Sequence, residues 1–206
     1  MSPPPLYIIL DSPFASKPLE PLLEIFAKAG VGWVQLREKT ASSKAFFETA
    51  QSLVSLCRQY RLTSIINDRV DIALLTDADG VHVGQNDLPV EEARRLLGRN
   101  KVVGVSTHNL KQALEAQRST ADYVAIGPVY LTTSKQNPDP IVSREELKAI
   151  RSQVTKPLVA IGGITVENAA GLYELGIDSL AVIRDILLSD NLESRIQQYL
   201  DLAPSR

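Results

Sequence analysis

Short runs rich in valine and isoleucine alternate along this chain with stretches in which apolar residues recur every three or four positions. The short runs are LYIIL (residues 6–10), GWVQLR (32–37), TSIIN (63–67), GVHVG (80–84), VVGVS (102–106), YVAIG (123–127), PLVAIG (157–162) and SLAVI (179–183). Their length and β-branched content predict strands. Between them, helical stripes are formed by Leu22, Leu23 and Phe26; by Phe46, Ala50, Leu53, Val54 and Cys57; by Ala93, Leu96 and Leu97; by Ala113 and Ala116; by Leu147, Ile150 and Val154; by Ala169, Leu172 and Leu175; and by Leu192, Ile196, Tyr199 and Leu200. Ser42, Ser143 and Thr165 stand where N-caps belong, and Glu146, three residues after Ser143, suggests a capping box.

Strict alternation of strand and helix predicts parallel strands joined by right-handed crossovers. Eight such units close most economically into one (βα)8 barrel, an α/β fold taken as a single domain over residues 1–206. The rival, an open doubly wound sheet binding a nucleotide, needs a glycine-rich turn after its first strand, and LYIILDSPFASKP has none.

Composition narrows the partners. A hydrophobic fraction of 44% supplies a core, while a formal net charge of -2 and basic runs no longer than pairs such as Arg94-Arg95 give no field for a nucleic-acid backbone. No apolar run approaches the roughly 18 residues of a membrane-spanning helix. Neither nucleic acid nor membrane is expected as a partner. The single cysteine excludes an intrachain disulfide framework, and the opening MSPPPLYIIL lacks a basic n-region, so a cytoplasmic location is expected. Assembly into a homo-oligomer is left open.

In a barrel, chemistry belongs at the carboxyl ends of the strands. There the sequence places Gln35, Arg37, Glu38 and Lys39; Asn67, Asp68 and Arg69; Gln85, Asn86 and Asp87; Ser106, Thr107 and His108; Thr132, Ser134 and Lys135; Gly162 and Gly163; and Arg184 and Asp185. Asp71 on the first turn of a helix, and Asp77 and Asp79 in the turn before the fourth strand, read as structural. Asp68 and Asp87 follow neighbouring strands and can converge, either as helix caps or as ligands for magnesium, which is held by one or two carboxylates plus phosphates and water. Arg37, Lys39 and Lys135 on the same face call for an anion, most simply a pyrophosphate, unless Glu38 neutralises them. Gly162-Gly163 and the end of the eighth strand suggest a second, phosphate-binding site, to which Thr132 and Ser134 can add hydroxyls from the long loop over residues 129–142. A loop of that length suggests a lid.

The segments VQLREK (34–39), IINDRVDIAL (65–74), GVHVGQNDL (80–88), GVSTH (104–108), DYVAIGPVYLTTSK (122–135) and AIGGIT (160–165), in this order and spacing, closely resemble the thiamine-phosphate synthase family. The resemblance implies a (βα)8 barrel that joins hydroxymethylpyrimidine pyrophosphate to a thiazole phosphate, giving thiamine phosphate and pyrophosphate. It assigns the pyrimidine pyrophosphate to Gln35, Arg37, Lys39, Asn67, Ser106 and Lys135, with Arg37, Lys39, Ser106 and Lys135 as the candidates for catalysis. It assigns magnesium to Asp68 and Asp87, and the thiazole phosphate to Thr132, Ser134, Gly163, Ile183 and Arg184. The implied reaction is dissociative: pyrophosphate leaves, and the thiazole nitrogen captures a pyrimidine cation. The segment VIRDI departs from the family, which usually has serine and a small residue where Arg184 and Asp185 stand, so Arg184 is read as a phosphate contact or as a partner of Asp185.

The alternative function is a thiazole tautomerase using His108 as proton shuttle, against which Asp68, Asp87 and the basic cluster speak. His82, in mid-strand, reads as a core histidine hydrogen-bonded inside the barrel, and Cys57 as packed core. Trp33 gives no basis for a ligand.

Overall fold

The computed structural model describes residues 2–15, 17–132 and 139–204. Eight strands form a closed barrel in sequence order: β1 (Leu6–Asp11), β2 (Trp33–Arg37), β3 (Thr63–Asn67), β4 (Gly80–Val83), β5 (Val102–Thr107), β6 (Tyr123–Ile126), β7 (Leu158–Ile161) and β8 (Ser179–Val182). Every neighbouring pair is parallel, including β1 with β8. Around it lie α1 (Leu19–Lys28), α2 (Ser43–Tyr60), α3 (Val70–Leu75), α4 (Val90–Leu97), α5 (Leu110–Arg118), α6 (Arg144–Gln153), α7 (Val166–Tyr173), α8 (Arg184–Leu187) and α9 (Leu192–Leu202). All eight apolar runs are strands, so the expected barrel is the one observed. The single turn of α8, which the apolar pattern did not single out, precedes α9.

Alternation along the strands separates two apolar layers. Leu6, Ile8, Leu10, Val34, Leu36, Ile66, Val81 and Val103 face the helices and pack with residues such as Leu23, Phe26 and Leu53. Each such side chain, when fully buried, contributes roughly 1.5–3 kcal/mol. Tyr7, Ile9, Trp33, Ile65, Val102, Tyr123, Ala125, Val159 and Ala181 fill the barrel interior. Trp33 thus belongs to the core, edge-on to both Tyr7 and Tyr123. Gly104 leaves room for Tyr123, because a Cβ there would stand 2.1 Å from the tyrosine Cζ.

Helix caps follow the sequence in part. Ser42 Oγ accepts the Ala45 N–H, and Ser143 Oγ accepts the Glu146 N–H. The capping box expected at Ser143 is not completed by Glu146, whose carboxylate instead accepts the N–H of Leu110 at 2.9 Å and ties α5 to α6. Thr165 donates its N–H to Asn168 Oδ1 at 2.9 Å, closing a box at α7.

The bottom of the barrel uses aspartates repeatedly. Asp79, Asp122 and Asp178, each just before an even-numbered strand, accept the N–H groups of Ser64, Val103 and Leu158 on the preceding strands at 2.7–2.8 Å. Arg94 and Arg151 brace the latter two. Asp77 pairs with Arg58 and Lys101, and Asp71 with Arg69. These are the structural roles expected of Asp71, Asp77 and Asp79. Among the described residues, no helix is long and apolar enough to cross a membrane.

Candidate active site

The inward positions of β1, β2, β3 and β5 end at the mouth of the barrel with Asp11, Arg37, Asn67 and Ser106. Asp11 is opposite Arg37 in register, and Arg37 Nη1 donates to Asp11 Oδ2 at 2.6 Å. Asp11 is 1% exposed, and among the described residues its second oxygen has no hydrogen-bond partner. Burial raises its pKa, opposed by the charge and hydrogen bond of Arg37.

Lys39 and Asp68 form an ion pair at the next strand end. Asp68 sits in the left-handed region, with φ 62°, a conformation aspartate tolerates better than most residues. Its N–H donates to the His82 carbonyl at 2.7 Å, which aims the carboxylate toward the loop after β4. There Asp87 Oδ2 accepts the Gly84 N–H at 2.8 Å, and the Asp87 carboxyl lies within hydrogen-bonding reach of Asp68. Burial first, then the hydrogen bond and charge of Asp68, raise the Asp87 pKa. Two carboxylates pressed together in this way favour either a shared proton or a cation between them. Among the described residues no cluster of three or more His, Cys, Asp or Glu is gathered as a metal site. Glu38 accepts from Ser12, Thr40 and Ala41, while Arg37 and Lys39 are met by Asp11 and Asp68.

Beneath the mouth runs a buried polar chain. Gln35 Nε2 donates to Tyr7 Oη at 2.5 Å, Tyr7 and Tyr123 hydroxyls lie 3.3 Å apart, Tyr123 Oη is 2.9 Å from His82 Nδ1, and His82 Nε2 is 2.8 Å from Ser106 Oγ. Burial lowers the His82 pKa to about 4, so its ring is neutral near pH 7. His82 is therefore the hydrogen-bonded core histidine that its mid-strand position predicts. Gln85 reaches over to donate to the Ser106 carbonyl at 2.7 Å.

On the far side, Gly162 and Gly163 have φ values of 100° and 66°. A Cβ on Gly162 would meet Pro128, and one on Gly163 would meet the Leu131 carbonyl at 2.4 Å, so the segment after β6 already fills the space at both α-carbons. The glycines thus have a packing reason of their own. Val129 and Tyr130 donate to the carbonyls of Ile161 and Gly162, both at 3.0 Å, extending β6 along β7 toward half-buried Thr132. Ser134 and Lys135 lie outside the described residues. His108 Nδ1 donates to the Gly127 carbonyl at 2.6 Å, with Nε2 3.5 Å from Asp139.

With this geometry in place, comparison with known proteins decides the family. The model of thiamine monophosphate synthase (TMP-TENI) matches residues 6–186. The chain belongs to the thiamine-phosphate synthase family. It is 42% identical to the thiamine-phosphate synthase of Clostridium acetobutylicum, over 96% of this chain and 93% of that one. It is 44% identical to that of Methanobrevibacter smithii, over 90% and 88%. The solved thiamine phosphate pyrophosphorylase of Pyrococcus furiosus is 32% identical and superposes with a TM-score of 0.84, covering 96% of this chain and 94% of that one. The protein is accordingly a transferase of thiamine biosynthesis acting on small molecules.

Within this thiamine-phosphate synthase barrel, the segment VIRDI is held by local contacts. Asp185 accepts from Tyr199 Oη at 2.8 Å and lies 3.3 Å from Arg195, locking α9 against the start of α8. Burial first, then Asp185, raise the Tyr199 pKa far above that of a free phenol. Arg184 is exposed, with its guanidinium 5.3 Å from the Phe14 ring centroid. Sequence reasoning missed Asp11 and the Tyr7–Tyr123 pair. Counting by twos from Tyr7 through Ile9 would have placed Asp11 at the mouth.

Proposed function

We propose that this enzyme couples hydroxymethylpyrimidine pyrophosphate to a thiazole phosphate, releasing pyrophosphate. The observation that carries the reading is the juxtaposition of Lys39, Asp68 and Asp87, with the buried Asp11–Arg37 pair beside them. Three carboxylates next to two cationic side chains, with Asp11 matched to Arg37 and Asp68 to Lys39, leave Asp68 and Asp87 to a divalent cation and free Lys39 for a polyanion that arrives with it.

Asp68 and Asp87 would hold magnesium, with water and pyrophosphate oxygens completing its shell. When bound, the cation stabilises charge on the departing pyrophosphate. Arg37, held in place by Asp11, presents its remaining guanidinium donors to the same oxygens. Lys39, half exposed, exchanges Asp68 for a phosphate oxygen. Asn67 and Ser106 supply neutral donors, and Lys135 a further cation. Gln35 orients the pyrimidine. The barrel needs no nucleophile, because departure of pyrophosphate leaves a resonance-stabilised pyrimidine cation that the thiazole nitrogen captures. Thr132, Ser134 and the backbone at Gly163, Ile183 and Arg184 bind the thiazole phosphate. A tautomerase built on His108 would have no use for paired carboxylates beside Arg37 and Lys39. The lone cysteine, buried in the α2 stripe, suits the reducing cytoplasm in which such an enzyme would work.

The test is thiamine phosphate formation from the two phosphorylated substrates, followed by oxidation to fluorescent thiochrome, with magnesium or with excess chelator. Product that appears with magnesium and vanishes with chelator is expected. Folded protein giving no product in either condition would sink the reading.

A further inference from the structure

The chain of groups from Gln35 to Ser106 has a direction. Gln35 Nε2 has only protons to offer, so Tyr7 Oη accepts at that end and has its one proton left for Tyr123. Tyr123 in turn gives its proton to His82 Nδ1, on which its ring also stacks at 5.5 Å. A neutral imidazole accepting at Nδ1 carries its proton on Nε2, where it faces Ser106 Oγ at 2.8 Å. Ser106 accepts there, and its own proton is available to the mouth. Reversing one bond reverses all of them. Gln35 would then present its oxygen to Tyr7, and Ser106 would give its proton to His82 and offer an incoming anion only lone pairs.

We propose that Tyr7, Tyr123 and His82 form a one-directional hydrogen-bond wire that makes Gln35, just beneath the mouth on β2, an acceptor and Ser106, at the mouth on β5, a donor. The inference rests on the proposed binding of the pyrimidine pyrophosphate. An amino-substituted pyrimidine offers protons, which Gln35 Oε1 can take, and a pyrophosphate oxygen needs one, which Ser106 Oγ can give. The four inner members are at most 6% exposed, so water does not scramble the direction. Tyr7, Tyr123 and His82 are positioning residues, since none of them is required to touch a substrate. The interior of this barrel therefore serves specificity as well as packing.

The two histidines provide the test, because their predicted tautomers are opposite: His108 donates from Nδ1 to the Gly127 carbonyl, and His82 must donate from Nε2. Long-range proton–nitrogen correlation spectra of the 15N-labelled protein near neutral pH, assigned with His108→Gln, should show His82 neutral and protonated on Nε2. Tyr123→Phe removes one hydroxyl well below the mouth. It should let both His82 tautomers appear and lower kcat/KM for the pyrimidine pyrophosphate about tenfold, the equivalent of one hydrogen bond, with the KM for the thiazole phosphate unchanged. His82→Gln, which keeps a donor for Ser106, should retain more activity than His82→Leu. A His82 ring protonated on Nδ1, or a Tyr123→Phe variant with unaltered tautomer and kcat/KM, would overturn the wire. The tautomer is read without substrate. An Nε2-protonated His82 in a protein that makes no thiamine phosphate would therefore support the wire while refuting the proposed reaction.

Discussion

Substitution of Gly104 by alanine tests the interior packing on which the mouth depends. An added Cβ would lie 2.1 Å from Tyr123 Cζ and 2.4 Å from its Oη, where non-bonded carbons settle at about 3.5–4.0 Å. The ring must retreat by more than an ångström, yet it is hemmed in by Tyr7, Trp33 and His82 at centroid distances of 6.2, 5.8 and 5.5 Å. Overpacking of this kind costs roughly 1–3 kcal/mol, and displacing the hydroxyl from Tyr7 and His82 adds about 1 kcal/mol for each hydrogen bond. Alanine in a strand recovers up to about 1 kcal/mol relative to glycine. The net expectation is a loss of about 2–4 kcal/mol, or roughly 5–15 °C in Tm for a domain of this size. Urea unfolding of Gly104→Ala, Tyr123→Ala and the double variant closes the cycle. With the ring gone, the added methyl should cost little, giving a coupling of at least about 2 kcal/mol. A single-variant loss below about 1 kcal/mol, or a loss undiminished in the Tyr123→Ala background, would refute the packing account.

Other consequences are accessible to simple measurements. Asp87→Asn relieves the crowding with Asp68, so the metal-free protein should keep its urea midpoint while magnesium-dependent turnover falls by about a hundredfold or more; unaltered turnover would remove Asp87 from the metal site. The His82 pKa lies near 4 in the fold against about 6.5 when unfolded, so the native state binds fewer protons between those values. Its contribution is fully present above pH 6.5 and is lost as pH falls toward 4, by about 3 kcal/mol, and the stability gap between the native protein and His82→Gln should change with pH by that amount. A gap independent of pH would exclude a neutral buried imidazole. Asp11→Ala removes the charged hydrogen bond that holds the partly buried Arg37 and should cost about 2 kcal/mol in urea unfolding; a cost under about 0.5 kcal/mol would show that Asp11 does not hold the guanidinium.

Much of this arrangement is legible in the residue order, for reasons that can be named. Asp68 and Asp87 are recognisable because each follows a strand, and in a parallel barrel consecutive strands are neighbours. Asp71, Asp77 and Asp79 are recognisable as structural because they precede a strand or open a helix. The partners of Tyr7 and Tyr123 are a different matter. Their hydroxyls meet across 116 positions of chain, and in sequence each tyrosine is one more apolar residue of a strand. Glu146 illustrates the same limit in a helix cap, since the spacing to Ser143 is right but Leu110 from another helix takes the carboxylate. Gly162 and Gly163 can be spotted as special, yet only the fold shows that Pro128 and Leu131 occupy the space they leave.

The sequence by itself determined the architecture and the face that bears the chemistry, because periodicity two and periodicity near 3.6 are local properties and alternating units can close in few ways. What only the tertiary structure decided is which of the inward groups meet: Arg37 on Asp11, Lys39 on Asp68, Asp68 beside Asp87, and a chain of hydrogen-bonded groups from Gln35 to Ser106 through two tyrosines and a histidine. Such contacts depend on the stagger between strands and on how deeply each group is buried, which sets both the neutrality of His82 and the raised pKa of Asp87. Periodicity tells which side of a strand faces inward, but the stagger, and which groups pack against which, come from strands distant in the chain.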